Sequence, residues 1–125
     1  MNYKIRIAAW MLFFIPLSAG AQKISLGSCT TKDGGQYKGE MVCGKPQGKG
    51  ATVFPNGDTY EGNYLKGKRE GYGVYTFSDG EKYEGQWMQD NQHAKGTFYF
   101  QKNNKYVGLW FRDYQHGHGS MYYYT

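Results

Sequence analysis

Glu70, His93 and His116 occupy one position of a pattern that returns every 23 residues. A carboxylate and two imidazoles are metal-ligand chemistry. The spacing argues against a shared ion. If each copy of the pattern is a hairpin, equivalent residues stand two strand spacings apart, about 9.6 Å, whereas zinc holds its ligands at about 2 Å. The three therefore form a ladder along a loop edge. His116 and His118 alternate by two and can face the same way at a strand end. Two ligands fall short of the four that a structural zinc takes. Ser25, Ser28, Ser78 and Ser120 have no histidine–aspartate pattern beside them, and nucleophilic or acid–base catalysis needs convergent groups in a cleft. The reading is a non-enzymatic chain with no catalytic residue, no metal, no cofactor and no small-molecule substrate.

The elements that would position these residues follow from the repeat. Tyr37, Tyr60, Tyr83 and Tyr106 are 23 apart, and Gly39, Gly62, Gly85 and Gly108 follow two residues later. Met41, Tyr64, Trp87 and Trp110 come two residues after that. A second glycine row runs through Gly50, Gly73, Gly96 and Gly119, and Phe54, Phe77, Phe100 and Tyr123 close the units. A fixed period of this length marks a repeat architecture. Within a unit the rows alternate by two, which is a strand with this set on one face. Asn56-Gly57 and Asp79-Gly80 join units as hairpin turns, because glycine takes positive φ without cost; Asn103 and Asn104 stand there in the third unit.

The expected fold is all-β, a single-layer antiparallel meander of tandem β-hairpins with about eight strands. Units cover 37–59, 60–82, 83–105 and 106–125. Residues 22–36 form a half repeat, since Gly27–Tyr37 matches Gly50–Tyr60 in register, and Ile24 to Lys32 supply an extra edge strand. The strand glycines let aromatic rings lie over the backbone of their neighbours.

The first stretch reads differently. Lys4 and Arg6 precede an apolar run from Ile7 to Leu17, and Ala19 and Ala21 end it. This is the pattern of a helical secretory signal peptide over 1–21; the run is shorter than the ~20 residues that span a bilayer. The expectation is export to the periplasm, envelope or medium. The whole chain carries +5, and the part after the leader has 13 basic against 10 acidic residues, or +3. That is too weak for a nucleic-acid stripe, so no nucleic-acid partner is expected.

The stretch YEGNYLKGKREGYGVYTFSDG, repeated from about Gly27 to Thr125, resembles the MORN repeat. Ala94 departs from it at a glycine place, and Met41 replaces an aromatic. The resemblance implies an elongated, twisted single sheet serving as a binding or spacing module. Some members are implicated in phospholipid binding, and others mediate protein contacts or dimerise.

Binding residues are then sought on the surface. Lys45, Lys49, Lys66, Lys68, Arg69 and Lys95 read as loops inside the hairpins, and Asp33, Glu40, Asp58, Glu61, Asp79, Glu81 and Glu84 as the opposite turns and flanks. This predicts a basic edge and an acidic edge, with Lys45, Lys66, Lys68 and Arg69 available to anionic lipid. Tyr72, Tyr99, Tyr114 and Tyr122 fall off the main rows and are expected to be exposed, which suits protein interfaces or sugar rings. The expected role is protein–protein interaction, scaffolding or self-association at the envelope; lipid-surface and glycan binding are the alternatives. Export permits a disulfide between Cys29 and Cys43, although simple pairing sets Cys29 nearer Tyr37.

Overall fold

The computed structural model describes residues 23–124. The leader expected over 1–21 lies outside the described residues. Nine strands follow in order: β1 (Ser25–Thr30), β2 (Gln36–Val42), β3 (Lys45–Val53), β4 (Thr59–Leu65), β5 (Lys68–Thr76), β6 (Lys82–Met88), β7 (Asn91–Tyr99), β8 (Lys105–Phe111) and β9 (Tyr114–Tyr122). Each pairs antiparallel with its neighbours in sequence, so the sheet is an uninterrupted meander. The extra edge strand is β1.

The two long edges differ in turn chemistry. On one, strands are joined by two-residue turns at Cys43-Gly44, Lys66-Gly67, Gln89-Asp90 and Arg112-Asp113, every residue of which has positive φ. Positive φ at both central residues is the type I′ hairpin, whose twist matches that of the strands. The other edge carries wide turns, in which Phe54, Phe77 and Phe100 donate their N–H to the carbonyls of Asp58, Glu81 and Asn104.

One glycine from every strand falls on a single line. Gly27, Gly39, Gly50, Gly62, Gly73, Gly85, Gly96, Gly108 and Gly119 are successive cross-strand partners. On one face the line is roofed by tyrosine. A Cβ at Gly50, Gly73, Gly96 or Gly119 would fall within the ring of Tyr37, Tyr60, Tyr83 or Tyr106. Each ring reaches across its own bulge, and its hydroxyl donates to a carbonyl three residues on: Glu40, Asn63, Gln86 and Leu109.

Tyr64, Trp87 and Trp110 wedge between those rings, edge to face, with centroids 5.0–5.5 Å apart. Such pairs contribute about 0.5–1.5 kcal/mol each beyond their burial. The wedges are also tied to the backbone. The indole N–H groups of Trp87 and Trp110 donate to the carbonyls of Gly73 and Gly96 at 3.2 Å. Tyr64 shares a 2.5 Å hydrogen bond with Thr52, which is why a threonine is buried in that unit. The core is thus one ring thick, and it lies on a face of the sheet rather than between two layers.

Units are also latched turn to turn. Asp58, Glu81 and Asn104 accept from the backbone N–H of Ser78, Gln101 and Tyr124, in each case 20 residues on.

Two expectations need correction. Cys29 and Cys43 are free thiols. Cys29 pairs with Tyr37, whereas Cys43 sits in the first tight turn, six residues further along. That is roughly 20 Å of strand, far beyond the ~7 Å Cα separation a bridge tolerates. Nor do the charges separate cleanly by edge. Lys49, Lys95, Glu40, Glu61 and Glu84 are strand residues in mid-sheet, and Asp90 and Asp113 stand on the edge expected to be basic.

Candidate binding site

Among the described residues, nothing covers the face opposite the rings. There the backbone of the glycine line forms the floor of a trough, because the side chains flanking each glycine are the ones that point to this face. Residues one before and one after each glycine make the two banks. Tyr72, Gln86, Lys95, Leu109 and His118 stand on one bank, opposite Glu84, Thr97, Val107 and Ser120 on the other. Lys49 and Asn63 continue the first bank towards β2, facing Lys38, Ala51, Glu61 and Val74. The two depressions have volumes of about 840 and 600 Å³, and Tyr72 lines both. The banks carry charges of both signs, Lys49 and Lys95 on the first and Lys38, Glu61 and Glu84 on the second, with apolar side chains between them.

The predicted aromatics divide. Tyr72 is half exposed at the centre of the trough. Tyr99 and Tyr122 stand on the same face nearer the wide turns, in register with Lys82 and Lys105. The ammonium of Lys82 lies 4.9 Å from the Tyr99 ring and that of Lys105 5.4 Å from Tyr122. Lys82 is also paired with Glu84 at 2.8 Å, and that carboxylate raises the lysine pKa. Tyr114 is exposed at the start of β9.

These four units, with their tyrosine-roofed glycines, match the family model for the MORN repeat at residues 37–59, 60–82, 83–105 and 106–125. The chain belongs to the MORN-repeat family. No curated protein matches it.

The MORN rows account for the core but not for the basic residues. Lys45, Lys66 and Lys68 stand exposed at the tight-turn edge. Arg69 does not join them. Its guanidinium carbon lies 4.7 Å from the centroid of Trp87, 5.4 Å from Tyr75, 5.8 Å from Tyr60 and 5.9 Å from Phe54. Its Nε donates to Asp90 Oδ1 at 3.1 Å and its Nη2 to the Asp90 carbonyl at 3.0 Å. Arg69 is therefore part of the packing and is corrected from a lipid-facing loop residue to a caged cation. With Asp90 and Asp113 on the same edge, the exposed Lys45, Lys66, Lys68 and Arg112 do not form a continuous basic rail.

The histidine ladder also resolves. His93 and His116 flank Phe111, with ring centroids 5.8 and 5.6 Å away. Among the described residues, no three His, Cys, Asp or Glu side chains gather as a metal site.

The sequence reading missed the trough. Its banks are the immediate neighbours of the glycine rows, so the positions were readable once all nine glycines were aligned.

Proposed function

We propose that the chain is a non-enzymatic, exported scaffold of the cell envelope that holds an extended segment of a protein partner in the glycine-floored trough. The observation that carries this reading is the trough on the open face, made of two depressions that meet at Tyr72. From β2 to β9 it crosses seven strand spacings, about 34 Å, enough for roughly ten extended residues. Apolar side chains and charges of both signs along the banks suit a polypeptide of mixed composition. A lipid surface calls for clustered basic side chains, and Lys38, Lys49 and Lys95 are interleaved here with Glu61 and Glu84. The basic, apolar and small-residue segments over 1–21 support export.

The test is site-specific photo-crosslinking of the full chain, with benzoylphenylalanine replacing Tyr72 or, as a control, Lys102 in a wide turn. A protein adduct formed from position 72 and not from 102 is expected. Crosslinking to lipid or glycan, or equal yields at the two positions, overturns the reading.

A further inference from the structure

The cage that holds Arg69 is built a second time, one unit later, without an arginine in it. Phe77, Tyr83, Phe98, Trp110 and Asp113 stand 23 residues after Phe54, Tyr60, Tyr75, Trp87 and Asp90. The walls superpose in kind and in distance. Phe54–Tyr75 and Phe77–Phe98 centroids are 5.5 and 5.7 Å apart. Tyr75–Trp87 and Phe98–Trp110 are 6.0 and 6.1 Å apart, at 36° and 34°. Tyr60–Trp87 and Tyr83–Trp110 are 5.4 and 5.2 Å apart, edge to face. The carboxylate is seated identically: Asp90 Oδ1 accepts the Arg69 N–H at 2.8 Å, and Asp113 Oδ1 accepts the Gln92 N–H at 2.7 Å.

Besides Phe98 in place of Tyr75, the occupant differs. Gln92 replaces Arg69, and it is neutral and shorter. It is 7% exposed, and among the described residues its side-chain amide has no hydrogen-bond partner; a buried polar group without a partner is unusual. A depression of about 350 Å³ opens beside it, lined by Phe77, Phe98, Trp110 and Asp113, and by Tyr75, Trp87 and the Arg69–Asp90 pair of the filled cage. Of its three charged groups, Arg69 and Asp90 neutralise each other at 3.1 Å. Asp113 has no cation within salt-bridge distance among the described residues, which leaves the site one negative charge in excess.

We propose that this second cage receives the guanidinium of an arginyl side chain from a protein partner. A guanidinium is planar and weakly hydrated; it stacks on aromatic faces while its N–H fork meets a carboxylate. Trp110 and Phe98 supply the faces, Asp113 the carboxylate, and the Gln92 carbonyl oxygen a further acceptor. The chain's own Arg69 is the template for this fit. A trimethylammonium would meet the rings but has no N–H to give Asp113. The cage lies on the ring face, opposite the trough, so it stands independently of the function proposed above.

The test is titration of the full chain with a short Gly-Arg-Gly peptide, followed at the indole N–H resonances. Parallel titrations use the same peptide carrying citrulline and free arginine amide. The Trp110 resonance is expected to move with the arginine peptide by more than that of Trp87, which borders the same depression from the filled cage. Asp113→Asn is expected to weaken binding by roughly tenfold, as for a lost charge-assisted contact. Gln92→Arg is expected to abolish binding and raise the melting temperature, because it rebuilds the filled cage. Equal binding of citrulline peptide, or unweakened binding to Asp113→Asn, overturns the proposal. So does a Gln92→Arg chain that melts lower or still binds. Free arginine amide binding as tightly as the peptide would assign the cage to a small molecule and overturn the protein partner.

Discussion

Ala94 shows what the repeat demands of a single position. Its counterparts Gly48, Gly71 and Gly117 have φ of 93°, 79° and 68°, and Ala94 is held at 56°. An L-residue there costs about 1–2 kcal/mol relative to glycine. Ala94→Gly is therefore expected to stabilise the chain by about 1 kcal/mol, read as a higher urea midpoint. Asp58 makes the opposite kind of demand. Its burial alone would raise its pKa, but hydrogen bonds from the Tyr75 hydroxyl, the Ser78 N–H and the Asn56 amide outweigh that and hold it low. Because the folded pKa lies below the unfolded value of about 3.9, the stabilisation is complete above that value. It is lost as pH falls through the lower, folded one. Urea midpoints measured from pH 6 down to 2 should fall less steeply for Asp58→Asn than for the unaltered chain.

Hairpins were legible because tyrosine, glycine and a large side chain recur two apart, and only a strand puts such a set on one face. What misled the reading was the glycine bulge. Gly48 and Gly71 take positive φ inside strands, and glycines close to lysines, as in KPQGKG and KREGYG, look like loop signals. Lys49, and Lys95 beside Ala94, were therefore assigned to loops although they pair within β3 and β7. The Arg69–Asp90 pair was illegible for another reason: its partners are 21 residues apart on neighbouring hairpins, and no local pattern joins them. The proline at the equivalent place in the first unit, Pro46, has no N–H to offer, and the residue stacked on it is Gly67 rather than an aspartate. The acid therefore appears where there is an amide to accept. Asp90→Ala strips the Arg69 backbone N–H and Nε of their shared acceptor, and should cost about 2 kcal/mol in denaturant unfolding, whereas Asp79→Ala in an exposed turn should cost little.

A core one ring thick ties the stability of the whole molecule to its tyrosines. Burial pushes Tyr37 up to about 12 and raises Tyr60 and Tyr83 as well. Their folded pKa values exceed the unfolded value of about 10, so their contribution is intact below pH 10 and drains away above it. The chain is expected to lose its sheet cooperatively between pH 10 and 12, with tyrosinate absorbance and the β-type dichroism changing together. The latches of the wide turns carry a different implication. Asp58, Glu81 and Asn104 each close onto the unit that follows by the same 20-residue step, so every joint in the chain is interchangeable. Length then comes in whole increments: splicing in a duplicate of residues 60–82 should extend the particle by two strand spacings, about 10 Å, measurable by small-angle scattering, and leave its cross-section as it was.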